Sequence, residues 1–445
     1  MDIEELYSRF TECNGLTTDS RHCPEGSMFL ALKGETFNGN AFAAQSLTQG
    51  CRYAVVDEPQ YASPENPRIL LVENCLQTLQ QLANYHRRKL GTRMVGVTGT
   101  NGKTTTKELI AAVLKEKFNV LYTQGNFNNH IGVPLTLLRL KPEHEVAVIE
   151  MGANHPGEIK TLVHIAEPDC GIITNVGKAH LEGFGSFEGV IRTKGELYDY
   201  LREKGNATIF IQNENPYLNK IAEGLNCVRY GQTSGLDVSG AVLSCSPFLH
   251  FEWAAGGASH EVKTHLIGAY NLDNALAAVA IGRYFGVEDT QICHALSSYV
   301  PQNNRSQLVQ TESNTLIVDA YNANPTSMMA ALVNFRQMEA GHKVAILGAM
   351  KELGEGSREE HQKVVDFLNE CQFERVILVG PEFAGLSASF EHYENVKEVE
   401  AMLAAHPVQH CCVLIKGSNS MKLSELPACL VKYIFCETVR IEVKL

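Results

Sequence analysis

The stretch Gly96-Val97-Thr98-Gly99-Thr100-Asn101-Gly102-Lys103-Thr104-Thr105-Thr106 constrains this chain more than any other feature. The apolar run Met94 to Val97 predicts a strand entering it, and Leu109, Ile110, Val113, Leu114 and Phe118 follow at helical spacing. Strand, glycine-rich turn and helix in that order form a cradle for phosphate. Glycines let backbone N–H groups approach phosphate oxygens closely, and the helix N-terminus adds partial positive charge. In such a cradle Lys103 reaches the β- and γ-phosphates and the Thr104 hydroxyl ligates Mg2+. The glycine usual six residues before the lysine is replaced by Val97, with glycines at 96 and 99 instead, which points to a subfamily of phosphate loops.

Around this loop the chain reads as three blocks, matching the roughly 150 residues per domain expected for 445 residues. Residues 1–82 carry short strand-like runs, Met28 to Leu32, Tyr53 to Val56 and Ile69 to Val72, with a polar helical stretch from Leu76 to Lys89 leading onward. Residues 83–305 alternate apolar strands (Met94 to Val97, Val146 to Ile149, Ile172 to Thr174, Thr208 to Ile211) with amphipathic segments, the pattern of a parallel sheet covered by helices. The polar stretch Pro301-Gln302-Asn303-Asn304 interrupts it. Residues 306–445 restart the pattern at Leu316 to Val318, Val344 to Leu347, Val376 to Val379 and Val413 to Ile415. The expected fold class is α/β in three domains: a small α/β domain, a central parallel-sheet P-loop domain and a Rossmann-like C-terminal domain.

Composition excludes several classes. With 44% hydrophobic and 20% charged residues, the chain is neither disordered nor a disulfide-stapled scaffold. Thirty-eight basic against fifty acidic residues give a net charge of -12, so no global basic surface exists for nucleic acid or an anionic membrane. An anionic ligand would need positive charge concentrated locally. The acidic start Met1-Asp2-Ile3-Glu4-Glu5 is unlike a signal peptide, and no apolar run approaches the roughly 18 residues of a membrane helix. The 13 cysteines are scattered without a C-x-x-C pair, which predicts reduced, mostly buried thiols in a cytoplasmic protein.

Two further strands end in chemistry. Val146 to Glu150 places a carboxylate at the carboxyl edge of the sheet, where it can hold Mg2+ directly or through water. Ile172 to Thr174 runs into Asn175-Val176-Gly177-Lys178-Ala179-His180, which carries an imidazole able to ligate a metal. Lys194 follows fourteen residues later and by itself reads as a solvated helix lysine.

Together these motifs resemble the Mur ligase family. Thr98 to Thr105 resembles its ATP signature, and Glu150 to Asn154, Asn175 to Glu182, Lys194, Asn271 to Ala278, Arg305 and Asp319 to Pro325 match in order, from Thr18-Asp19-Ser20-Arg21 to Lys416-Gly417-Ser418. The stretches Gly125 to Thr136, Asp319 to Pro325 and Leu347 to Gly354 resemble the member that joins D-alanyl-D-alanine to UDP-N-acetylmuramoyl-tripeptide, through an acyl phosphate, for peptidoglycan synthesis. Ala320, Ala349, Asn419 and Asn38-Gly39-Asn40 depart from the usual residues.

The resemblance implies roles. Gly99, Thr100, Asn101, Gly102, Lys103, Thr104, Thr105, Asn271, Asn274, Arg305 and Asp319 would bind ATP, Asp319 at the ribose. Thr104 and Glu150 would hold one Mg2+, and His180 and Lys194 a second, with Lys194 carbamylated because an ammonium would repel the cation. Lys103, Glu150, His180, Lys194 and Arg305 would carry the catalysis. Ser20, Arg21 and Lys33 would meet the UDP end in the first domain, Asn126, Asn128 and Asn129 the peptide or sugar, and Tyr321, Asn322 and Asn324 the dipeptide. Asparagines 271 and 274 also read as helix N-caps. A monomer is expected. Two alternatives stay open: another amino-acid-adding member of the family, such as the one adding a diamino acid, and a P-loop ATPase without ligation.

Overall fold

The strand Arg93–Thr98 lies inside a nine-stranded sheet, between Val146–Glu150 and Cys170–Ile173, both parallel to it. Its residues from Met94 on are buried, as a parallel strand covered on both faces requires, and this explains the unbroken apolar run. In the computed structural model, residues 1–63, 65–302, 305–387 and 389–431 are described. Asn303 and Asn304 of the polar break, and residues 432–445 of the third block, lie outside the described residues.

The central sheet continues as expected through Thr208–Gln212 and on the other side through Val120–Tyr122. Beyond Asn226–Gly231 it carries an extension absent from the expected pattern: Val238–Cys245, Phe248–Ala255 and Ala258–Ile267, the last two pairings antiparallel. Leu249, Phe251, Trp253 and Ala255 alternate inward, and Gly256 and Gly257, at φ 59° and 85°, form the tight turn. Behind this sheet the helix Leu272–Tyr284 is buried on nearly every side and packs on Lys103–Lys115. In the latter helix Leu109, Ile110, Val113 and Leu114 are buried, while Phe118 lies past its end against Phe285.

The first block forms a four-stranded parallel sheet, Leu16–Thr17, Met28–Leu30, Tyr53–Val56 and Ile69–Leu71. The helix Cys75–Leu90 is capped by the Asn74 side chain and closed by Gly91 at φ 66°. It packs on Ile3–Thr11 and on the central helices Gly132–Leu137 and Glu158–Ala166, so one hydrophobic core runs from the first sheet to one face of the second.

The third block has a core of its own around six strands. In spatial order these are Gln307–Gln310, Thr315–Asp319, Cys412–Lys416, Lys343–Gly348, Arg375–Val379 and Glu391–Tyr393; only the first pairing is antiparallel. No helix among the described residues is long and apolar enough to cross a membrane. The twelve described cysteines are unpaired, but only five are buried; seven are half-buried, because they sit on helix flanks and edge strands as well as in the cores.

Candidate active site

The phosphate loop sits at the carboxyl end of Arg93–Thr98. Its geometry requires glycine at two places. Gly99 has φ 143°, and a Cβ there would lie 2.0 Å from Thr174 Oγ1. Gly102 has φ 75°, and a Cβ there would lie 2.6 Å from Asn274 Oδ1. The loop is tied to the next strand end: Asn101 N–H donates to Asn175 Oδ1 at 2.9 Å, and Thr174 Oγ1 donates to Asn101 O at 2.6 Å. Lys103 Nζ donates to the carbonyls of Gly99 and Thr100 at 2.9 and 3.0 Å. Burial pulls this ammonium down to about 8, opposed by the charge of Glu150.

Glu150 ends the neighbouring strand, as expected, and is almost fully buried. Its Oε1 accepts from Asn128 Nδ2 at 2.8 Å and from Thr104 Oγ1 at 3.3 Å. Its Oε2 is buried with no protein partner. A buried carboxylate oxygen without a donor, beside a threonine hydroxyl at the mouth of a phosphate loop, is a donor set suited to a hard divalent cation.

His180 follows the strand Cys170–Ile173 at φ 48°, a left-handed conformation, and its Nδ1 bonds the Glu352 carboxylate of the C-terminal block. Lys194 lies on the helix Phe187–Lys204, not solvated but buried. Its Nζ donates to Ala153 O at 3.2 Å and stands 5.2 Å from the Phe184 ring centre. Burial, aided by the charge of Lys103, holds this amine well below the ordinary lysine range.

The C-terminal block closes the other side. Ser306 N–H donates to Asp319 Oδ1 at 3.3 Å, and Lys416 Nζ donates to Asp319 Oδ2 at 2.6 Å. The Arg305 guanidinium lies 3.9 Å from the Tyr321 ring centre. Asn324 caps the helix Pro325–Gln337, and its Nδ2 donates across the boundary to Asn101 Oδ1 at 2.7 Å. Asn271 and Asn274 do not cap their helix through their side chains. Asn271 Nδ2 donates to Ile267 O, Asn274 Nδ2 donates to Asn271 Oδ1, and Asn274 Oδ1 accepts from Thr106.

Most of these groups surround one cleft of about 700 Å³, within the range of small-molecule sites, but Gly99 and the buried Lys194 do not line it. From the loop it takes Thr100 to Thr105; from the central block also Asn126, Asn128, Asn129, Glu150, His180, Asn271, Asn274 and, at its end, Arg305; from the C-terminal block Asp319, Tyr321, Asn322 and Asn324. Ser20, Arg21 and Lys33 lie in the first sheet's loops, outside it. Ser20 is buried, exposed Arg21 pairs with Asp19 at 2.9 Å, and Lys33 pairs with Glu58 at 2.6 Å and Asp57 at 3.4 Å. Asn38 and Asn40 hold those same acids. The cleft also includes Tyr270, Asp273, Asn175 and Lys416, for which the sequence motifs alone indicate no role. Burial raises Asp273 to about 6.

The sequence matches the Mur ligase family catalytic domain over residues 12–87, the Mur ligase middle domain over 97–282 and the Mur ligase glutamate ligase domain over 304–419. It is 36% identical over 434 residues to the UDP-N-acetylmuramoyl-tripeptide–D-alanyl-D-alanine ligase of Bacillus subtilis, covering 95% of this chain and 94% of that one. The chain belongs to the Mur ligase family. Its fold matches a crystal structure of MurF from Acinetobacter baumannii with a TM-score of 0.86 and 30% identity, over 96% and 98% of the two chains. MurF ligase from Thermotoga maritima in complex with ADP matches at 0.83 and 29%, over 97% and 98%. Like those chains, this Mur ligase has a three-domain α/β architecture, and its cleft draws on the second and third domains.

Proposed function

We propose that this Mur ligase uses ATP to join D-alanyl-D-alanine to UDP-N-acetylmuramoyl-tripeptide in peptidoglycan synthesis, as a cytoplasmic monomer. The observation that carries the reading is the cleft itself. Lys103 at a helix start and Glu150 at a strand end of the central domain face Asp319 at a strand end of the C-terminal domain, with Arg305 at the junction between the two, as a nucleotide clamped between two domains requires. The likeness to enzymes named for this reaction over nearly the whole chain supports the substrates.

The tripeptide carboxylate attacks the γ-phosphate to give an acyl phosphate, and the dipeptide amine then attacks that carbonyl and displaces phosphate. Bringing one anion to another is the physical difficulty, and fixed cations and N–H dipoles relieve it. Lys103 exchanges its two loop carbonyls for β- and γ-phosphate oxygens. Arg305 neutralises charge from the opposite wall, while Asp319 accepts from ribose hydroxyls, with Lys416 holding its carboxylate in place. Thr104 and Glu150 would hold Mg2+, which when bound supplies positive charge at the phosphates. Burial favours the neutral form of the Lys194 amine; a carbamate made there by adding CO2 and releasing one proton would hold a second ion together with His180. Closure of the C-terminal domain over the central one would exclude water from a hydrolysable acyl phosphate. Residues 1–82 would take the UDP end. There Arg21, held only by an exposed pair, and Lys33 would turn from their acids to pyrophosphate, with Ser20 beside them. Asn126 would supply a neutral donor and acceptor to the tripeptide and Asn129 its amide N–H groups, since its Oδ1 already accepts from Ile131 and Gly132 N–H; Tyr321 and Asn322 would meet the dipeptide, with Asn324 beside them holding the loop through Asn101.

Phosphate release measured with the UDP-tripeptide, with and without D-alanyl-D-alanine, tests the reading, together with the mass of the product. Release should require both substrates. Equal release without either one overturns it in favour of a plain ATPase. For Lys194, uptake of isotope-labelled bicarbonate should be lost in Lys194→Ala, and short carboxylates should restore part of its activity.

A further inference from the structure

Ligation chemistry gives one ring nitrogen of His180 a use and leaves the other unexplained. That second nitrogen, Nδ1, meets the Glu352 carboxylate, 172 positions away in the chain. Glu352 belongs to the loop between Lys343–Gly348 and the helix Ser357–Asn369 of the C-terminal sheet. Both partners hold left-handed backbone, His180 at φ 48° and Glu352 at φ 63°. Side chains other than glycine seldom adopt that region, and where they do the surrounding structure imposes it, often at functional sites.

The loop that presents Glu352 is pinned on both sides. Met350 N–H donates to His361 Nε2 at 3.0 Å, so His361 carries its proton on Nδ1, which donates to Ser357 O at 2.7 Å. Lys351 N–H donates to Ser418 Oγ at 3.0 Å. Nearby, Lys178 reaches Glu360 at 3.4 Å across the same domain boundary. Stability is a poor explanation for the pair, because the Glu352 side chain is 54% exposed and exposed ion pairs contribute little. Its clear effect is geometric. A carboxylate that accepts from Nδ1–H fixes the imidazole tautomer and ring orientation, leaving the Nε2 lone pair free.

We propose that Glu352 is a positioning residue for the ligation. Brought by the C-terminal domain, it locks the His180 ring with Nε2 as the free acceptor on the cleft side, so the site is complete only when that domain sits on the central one. The role rests on the reading above, in which His180 acts in the cleft.

The test compares Glu352→Ala, Glu352→Gln, His180→Ala and the double variant in the full chain. Glu352→Ala should lower kcat about tenfold or more while leaving the KM for ATP and the melting temperature nearly unchanged. Glu352→Gln, whose amide oxygen still accepts from Nδ1–H, should recover most of the loss. Added to His180→Ala, Glu352→Ala should have no further effect, since both changes act through one ring. Nitrogen NMR of His180 should show the Nδ1–H tautomer in the unaltered chain and a tautomer mixture in Glu352→Ala. A kcat within about twofold of the unaltered chain, or losses that multiply in the double variant, overturns this role alone. Absence of ligation by the unaltered chain overturns the functional reading and this role with it.

Discussion

Lys416 and Asp319 end two adjacent parallel strands at paired positions, and their side chains meet at 2.6 Å. The lysine side chain is 2% exposed and the aspartate 17%. Replacing Lys416 with Met keeps a stem of similar length and removes the charge, leaving the Asp319 carboxylate, among the described residues, with the Ser306 N–H at 3.3 Å. Removing one partner of a buried pair costs about 3–5 kcal/mol, and the partial exposure of Asp319 places this case near ~3 kcal/mol. For a domain of this size that amounts to roughly 10 °C in the melting temperature of the C-terminal unit. Calorimetry, with hydrogen exchange localised to Thr315–Asp319 and Cys412–Lys416, reads that unit directly. Lys363→Met is the control: that lysine is 48% exposed and pairs with both Glu359 and Glu360 along its own helix, contacts that together should contribute under ~1 kcal/mol. Adding Asp319→Asn to Lys416→Met should recover most of the loss, because the stranded charge goes while the acceptor for Ser306 stays. A Lys416→Met variant that melts like the control, or a double variant as unstable as the single one, would refute the reasoning.

Gly99→Ala should abolish ATP binding and lower stability, since the new Cβ would lie 2.0 Å from Thr174 Oγ1 and 3.0 Å from its backbone N, at φ 143°; a nucleotide titration and a melting curve check this. Acid should weaken the C-terminal unit through His361. Burial lowers its pKa, and its Nε2 faces an N–H that cannot accept a proton. The unfolded chain binds that proton first, so the contribution is full above the ordinary imidazole value of about 6.5 and is lost as pH falls from there through the lower folded value. Denaturant midpoints against pH should show this slope, and His361→Asn should flatten it.

The elements that present Lys103 and Glu150 are legible in sequence, because each side chain follows an apolar strand within a few residues and strand order is not needed to place it at the sheet edge. Asn324 and Asn101 are different. Their bond crosses two domains and 223 positions, and polar pairs between sheets leave no periodic trace. Lys416 beside Asp319 depends on the last strand inserting between the second and third of its sheet, a non-local choice. The extension from Val238 to Ile267 did leave a trace in the alternation of Leu249, Phe251, Trp253 and Ala255 and in Gly256-Gly257. Its attachment to the parallel sheet through only Tyr230↔Val238 and Gly231↔Ser239 did not. Arg21 is held by Asp19, two residues away and visible in sequence, whereas the acids that hold Lys33, Asp57 and Glu58, reach it only in the fold.

Charge in the cleft shows where local reasoning stops. A chain of net charge -12 that binds ATP is expected to gather basic residues at the site. The cleft is lined by Lys103, Arg305 and Lys416, but also by Glu150, Glu158, Asp273 and Asp319, so its bases do not outnumber its acids. One of those bases, Lys416, is already committed to Asp319, and Glu150 would repel a phosphate if left bare. Side chains alone therefore fall short of neutralising a triphosphate here; on the reading proposed above, backbone N–H dipoles and a divalent cation on Glu150 would do most of it. ATP affinity measured by calorimetry should accordingly fall at least about tenfold when Mg2+ is chelated, corresponding to ~1.4 kcal/mol or more. Glu150→Gln, which removes the charge that holds the cation, should erase most of that dependence. If ATP binds equally well with and without Mg2+, the positive charge comes from the side chains after all, and Glu150 is only an acid at a strand end.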